Sequence, residues 1–417
     1  MTHRGILVAG SLSLALLAAA CHEDELFTTA PPQYAGGAMF QRYVAMGNST
    51  TAGFQSGGIN DSTQAQSYAV LVAGKMGSPF YWPSLVKPGC PPPYTNVFTG
   101  ARLNGGSAST CLFRSPAIPP YLSNVAVPGA EVLDLLTNGP GIGTNSNPLT
   151  QLFLGGRTQI RAMMDAHPTF VSVWAGTNDV LGAATNAVNA GDSSLVTPVA
   201  TFQTDYTNIV DAVNASGAKA ILIAVENVMA LPFFSQGATY WAIKNGLVPG
   251  AAFPAPFTVS NNCAPISSGI PGARGDSVLV PFPYGGALLA AASPPNNQPR
   301  NLDCADTVAA VIVPAEVRRL AAAISSYNQH ISSQAAAHGW AYLELNTTLD
   351  SLRLIPTQVA PFPAFTTGGA PTPCSGNPFG LAFSCDGVHP SAATHLIIAR
   401  HVVQAINAEY GSAIPTP

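Results

Sequence analysis

A chain of 417 residues, 47% of them hydrophobic, is long enough to bury a large core. Only 9% of the residues are charged, the formal net charge is -4, and there is no Lys/Arg run or basic stripe, so nucleic acid is not expected as a partner. Apolar residues are too plentiful and charges too few for a disordered chain.

In chain order, Arg4 precedes an apolar stretch, Gly5 to Ala20, that is too short for a comfortable membrane span and ends on small residues. It reads as a signal peptide over residues 1–20. The run Ala18-Ala19-Ala20-Cys21 resembles a bacterial lipobox, with Ala where Leu is commoner at the third position before the cysteine. Cys21 is then the lipidation site, residues 21–37 are a tether, and the protein is expected to be exported to the bacterial cell envelope as an outer-membrane lipoprotein, with the membrane as partner through its N-terminal lipid.

A folded domain is expected over 38–417. Five short apolar runs have strand character: Tyr43–Met46, Asn124–Val127, Phe170–Trp174, Ala220–Val225 and Ala341–Leu345. Near-continuous apolar runs of this length suit strands of a parallel sheet covered on both faces. Helical spacing lies between them. Gln64–Met76 carries Ala65, Ala69, Val72 and Met76, and Val199–Ser216 carries Phe202, Tyr206, Ile209, Val210 and Val213 before Gly217. Pro314–His338 opens on Pro-Ala-Glu, a favourable first turn, and Ser391 opens a last helix through Ile406. The alternation predicts a doubly wound α/β domain, whose ligands sit beyond the carboxyl ends of the strands.

Three Pro-, Gly- and Asn-rich segments, about 77–122, 229–313 and 355–385, interrupt this pattern and read as surface insertions. With Cys21 assigned to lipid, six cysteines remain, two in each insertion. An even number in an exported chain suggests disulfides, and position favours Cys90–Cys111, Cys263–Cys304 and Cys374–Cys385 among the 15 possible pairings. No CxxC spacing occurs, so a zinc site is not indicated.

Four short segments carry candidate chemistry, and each has a plain structural reading beside it. Ser49 in Gly47-Asn48-Ser49 follows a strand, where a serine also serves as a helix cap. Thr51 stands where the Gly-x-Ser-x-Gly elbow needs its second glycine. In Asp386-Gly387-Val388-His389 a carboxylate three residues before an imidazole can orient it, or the pair can be a cap and a surface histidine. His330, His338, His395 and His401 lie on helices or at their ends and are weaker candidates. Asn178 in Gly176-Thr177-Asn178-Asp179 offers an amide to a developing oxyanion, or caps a helix. Gly129 in Asn124–Gly129 allows close backbone approach, or simply ends a strand.

In this order the four segments resemble the SGNH hydrolase (GDSL-like lipase/esterase) family. The resemblance implies a flavodoxin-like, parallel five-stranded sheet and a serine esterase or lipase that hydrolyses carboxylic esters through an acyl-enzyme. Ser49 would be the nucleophile, His389 the general base and Asp386 its orienting acid. The backbone N–H groups of Ser49 and Gly129 and the Asn178 amide would form the oxyanion hole. Asn48 departs from the Asp of the family name. No metal or organic cofactor is implied. The expected substrate is an acylated glycan or a lipid ester, with the insertions serving as an acyl pocket or as stabilising flaps. Two alternatives are a surface glycan-binding lipoprotein with an unused hydrolase site, and a metal-dependent hydrolase, which the absence of a clustered His/Asp set disfavours.

Overall fold

In the computed structural model, residues 34–111, 119–137, 148–360, 362 and 373–417 are described. The apolar runs become strands β1 (Tyr43–Gly47), β2 (Phe170–Trp174), β3 (Lys219–Ile223) and β4 (Ala341–Leu343), paired in parallel in that order. Every residue of β1 and β2 is buried, which is why both read as unbroken apolar runs rather than as alternation.

The expected fifth strand at 124–127 is an edge segment beside β1, formally only a single bridge between Ala45 and Asn124. Val125 and Val127 donate to the carbonyls of Ala45 (2.9 Å) and Gly47 (3.1 Å), but Ser123 and Asn124 turn their N–H groups to Tyr81 O. Pro128 then ends it. Counting this edge, the spatial order is second, first, third, fourth, fifth, the flavodoxin-like order.

Successive side chains leave opposite faces of the sheet. Tyr43, Ala45, Phe170, Ile221 and Leu343 pack on one face under Tyr68–Met76 and Ala392–Tyr410; Val44, Met46, Val173 and Leu222 pack on the other with Val199–Ala215 and Pro314–His338. The helix Pro314–His338 has the expected bounds, set by Pro314, by a Glu316 carboxylate that accepts from Val313 N–H (2.9 Å), and by Gly339 in the left-handed region. The single helix expected over Gln64–Met76 is instead two, Asp61–Ala65 and Tyr68–Met76. Ser67 divides them: its buried hydroxyl donates to Thr51 O (2.7 Å) and accepts from Ala69 N–H (3.3 Å) as a helix cap.

The 229–313 segment is not a surface appendage. It forms two small strand pairs, Phe234–Gln236 with Leu279–Pro281 and Phe257–Val259 with Arg300–Leu302, and the helices Gly237–Lys244 and Phe282–Ala292. Tyr240, Phe257, Val280 and Leu302 are fully buried in the same hydrophobic cluster as Val44 and Leu222. Strands of three residues are too short to show a period, and the helix Phe282–Ala292 is apolar on all sides, so neither announces itself in sequence.

Disulfides join Cys90 to Cys111, Cys263 to Cys304 and Cys374 to Cys385, one within each insertion. The folded unit runs from Ala35, whose N–H already bonds Met76 O (3.0 Å), so it takes in the last residues of the expected tether. The expected signal segment, Cys21 and the rest of the expected tether to residue 33 lie outside the described residues. Among the described residues no helix is long and apolar enough to cross a membrane.

Candidate active site

The site is built where β1 ends. Gly47 has φ +146°, and a Cβ there would lie 2.2 Å from Trp174 O, so only glycine lets β1 and β2 close together at this point. The buried Gln159 amide clamps the same residue. Its Oε1 accepts from Gly47 N–H (2.9 Å) and its Nε2 donates to Gly47 O (2.8 Å). The chain then enters the short helix Ser49–Ala52. Asn48 is its N-cap, accepting from Thr50 N–H (3.1 Å), a task Asn and Asp perform equally. That accounts for the departure at position 48. Asn124 secures the far end by donating to Thr51 O (2.8 Å).

Facing Ser49 is the loop before the last helix. His389 Nε2 lies 2.9 Å from Ser49 Oγ, and His389 Nδ1 lies 2.8 Å from Asp386 Oδ2. Asp386 also accepts from the N–H groups of Val388 (2.9 Å), His389 (2.9 Å) and Gly57 (2.6 Å), and from the Ser384 hydroxyl (3.1 Å). Burial opposes its charge, but His389, through its ring and its N–H, and the Val388 N–H outweigh that and hold the carboxyl at a pKa of about 2. Ser384 Oγ accepts from Ser56 N–H (2.8 Å), and Ser56 Oγ accepts from Cys385 N–H (3.1 Å). The loop after the serine and the loop bearing the acid are therefore laced together. The Phe54 ring packs on His389 at 4.8 Å.

Two further expected donors follow the neighbouring strand ends. Gly129 follows the edge segment bonded to Gly47, has φ +80°, and is exposed. No acceptor among the described residues takes the backbone N–H of Ser49 or of Gly129. Asn178 starts the helix Asn178–Ala184 beyond β2, and its amide donates to Ala130 O (2.9 Å). One amide hydrogen is thereby committed to the Gly129–Ala130 turn, which ties the two expected donors to each other and leaves the second hydrogen for a ligand. Asp179 holds the next step of that turn, accepting from Val132 N–H (3.0 Å). Burial raises its carboxyl to a pKa of about 8. Behind them Glu226 accepts from Thr177 Oγ1 (2.6 Å) and Trp174 Nε1 (3.1 Å). Burial raises its pKa, against those hydrogen bonds and the nearby His389.

The other histidines lie elsewhere. His395 is buried, its Nδ1 accepting from Tyr68 N–H (3.2 Å), and burial lowers its pKa to about 3. His330 meets Thr207 Oγ1 (3.1 Å), and His338 stacks on Trp340. Among the described residues no three His, Cys, Asp or Glu side chains gather as a metal-binding group. Gln159, Ser384, the Ser56–Gly57 turn and Glu226 are site residues that sequence reading missed. A hydroxyl two residues before Asp386 was a usable signal for Ser384. Gln159, in the first turn of a helix, offered none.

The chain belongs to the GDSL-like lipase/acylhydrolase family, whose model matches residues 43–402. It is accordingly a carboxylic ester hydrolase. No curated protein is a significant sequence match. Among solved structures, an acetylxylan esterase from Geobacillus stearothermophilus is similar at 12% identity and TM-score 0.37, covering 91% of this chain and 98% of that one. An alpha/beta hydrolase from the metagenome of Lake Arreo, Spain, is similar at 12% identity and TM-score 0.36, with 89% and 98% covered. A GDSL-like lipase from Bacteroides thetaiotaomicron is similar at 14% identity and TM-score 0.34, with 88% and 89% covered. Likeness at this level says nothing of what this chain acts on.

Proposed function

We propose that the protein hydrolyses carboxylic esters through a Ser49–His389–Asp386 triad and an acyl-enzyme. The observation that supports it is the continuous hydrogen-bonded line from Asp386 through both ring nitrogens of His389 to Ser49 Oγ. His389 Nε2 takes the Ser49 proton as Oγ attacks the ester carbonyl. The N–H groups of Ser49 and Gly129 and the second Asn178 amide hydrogen receive the oxyanion. His389 passes its proton to the departing alcohol, leaving an acyl-Ser49 ester. Water, deprotonated by His389, then releases the acid. Asp386 stays ionised throughout, consistent with its pKa of about 2, and stabilises the imidazolium.

The test is covalent labelling and turnover. A fluorophosphonate should label Ser49, and Ser49→Ala and His389→Ala should each lower kcat by at least on the order of 10³-fold, because the groups act as a unit. Labelling at another residue, or a Ser49→Ala variant with wild-type turnover, would overturn the proposal.

Export and anchoring through Cys21 belong to the same reading. Arg4, the apolar Gly5–Ala20 run and the small residues before Cys21 support them, as do three disulfides, which suit an oxidising compartment. Cys21→Ser should release active, soluble protein from the membrane fraction; unacylated wild type found wholly in the soluble fraction would refute the anchor.

A further inference from the structure

We infer that the 229–313 segment builds a binding site for the acyl chain of the substrate, and that the preferred substrates are esters of medium- to long-chain fatty acids rather than acetyl esters. This rests on the esterase reading above. A cavity of about 1170 Å³ opens beside His389 and Asp386, beyond the roughly 300–1,000 Å³ of ordinary small-molecule pockets. Away from these two residues its wall is formed by Phe98, Phe233, Phe253, Phe282, Leu289 and Ala290. The four phenylalanines are only partly buried. They belong to a connected set of rings, with Phe98 and Phe233 at 5.4 and 6.4 Å from Phe282. Phe253 sits 4.9 Å from Phe257, so it is held by the core of the segment.

The chemistry of this wall selects the occupant. Among the described lining residues the only carboxylate and imidazole are Asp386 and His389, and both are engaged with each other. The other polar side chains are Tyr94, whose ring lies against Gly57 at the same end, and Ser293. A sugar ring placed there would lose water from many hydroxyls with few partners to replace it. An acetyl group would leave almost all the apolar wall wet. A polymethylene chain removes that wall from water along its length, starting beside His389, whose Nε2 lies 2.9 Å from Ser49 Oγ. The helix Phe282–Ala292 supplies one side of the channel, with Ala290 exposed towards it.

The experiment is a p-nitrophenyl ester series from acetate through butyrate and octanoate to laurate, each below its micellar concentration, on the mature protein. kcat/KM should rise by up to about fourfold per added methylene until the cavity is filled. Ala290→Glu places a charge in the channel from an exposed helix position, and should lower the octanoate-to-acetate ratio of kcat/KM at least tenfold. Because a ratio is read, a general loss of active protein does not affect it. Decanoate should inhibit acetate hydrolysis competitively in the wild type and less so in the variant. A flat or falling chain-length profile, or an unchanged ratio in Ala290→Glu, overturns the acyl site while Ser49-dependent acetate turnover leaves the esterase reading standing. No turnover of any ester, with no labelling at Ser49, sinks both.

Discussion

Gln159 and Asn178 show how single amides position the chemistry. Gln159 satisfies the N–H and C=O of Gly47, two residues before Ser49, so Gln159→Leu leaves a buried N–H without a partner. It should destabilise the protein by about 1–3 kcal/mol, read as a denaturant midpoint, and should also lower kcat. Asn178→Ala should lower kcat by roughly 10²–10³-fold with a smaller change in KM, because in the proposed mechanism the second amide hydrogen acts on the developing oxyanion. An unaltered kcat would make Asn178 only the fastener of Ala130. The two unusual carboxyls act in opposite pH windows. Asp386 has its pKa lowered from 3.8 to about 2, so the stability it contributes is present above pH ~4 and is lost as pH falls towards 2. Asp179 is raised from 3.8 to about 8, so its contribution is full below pH ~4 and is lost as pH rises through 8. Asp179→Asn stays neutral, so its unfolding midpoint should fall less than that of the wild type between about pH 5 and pH 8. Parallel midpoints across that range would show that Asp179 is not protonated in the native state.

At the scale of elements, the strand-to-helix turn at Ser49 and the loop at His389 are each held at three points. The turn has Asn48 as cap and Gln159 and Asn124 as clamps; the loop has its laces to Ser56 and Gly57 and the bridge from Cys374 to Cys385. A bridge across 11 residues contributes roughly 3 kcal/mol on the chain-entropy view. Cys374→Ser with Cys385→Ser should reduce kcat while the far-UV circular dichroism of the sheet and helices stays unchanged. Full activity after that double change would mean that the hydrogen bonds from Ser56 and Gly57 hold the loop unaided. Elements of this kind were legible in sequence when their signals were local. Pro314 and Gly339 bracket a helix, and Phe170–Trp174 is apolar throughout. The break at Ser67 in the helix expected over Gln64–Met76 carries no local signal, because a buried serine breaking a helix resembles one passing through it, and the difference lies in Thr51 O.

On the scale of the whole molecule, the sheet domain and the 229–313 segment share one hydrophobic cluster. They should unfold together, in a single calorimetric transition whose van't Hoff and calorimetric enthalpies agree. Two resolved transitions would make the segment a separate domain. The sequence by itself determined what depends on neighbours a few residues apart: the parallel strands, the long helices and the spacing of Asp386 to His389; the disulfide partners followed from each pair sharing one insertion. It also marked Ser49, Gly129 and Asn178 by the strand ends they follow. Only the tertiary structure decided what depends on residues far apart in the chain. Ser49 and His389 meet across 340 residues, Gln159 reaches Gly47 across 112, and the apolar wall beside His389 comes from segments that carry no period of their own. The physical reason is that periodicity records which face of an element is buried. It does not record which distant side chain will be the partner of a buried amide, nor where packed segments will leave a space.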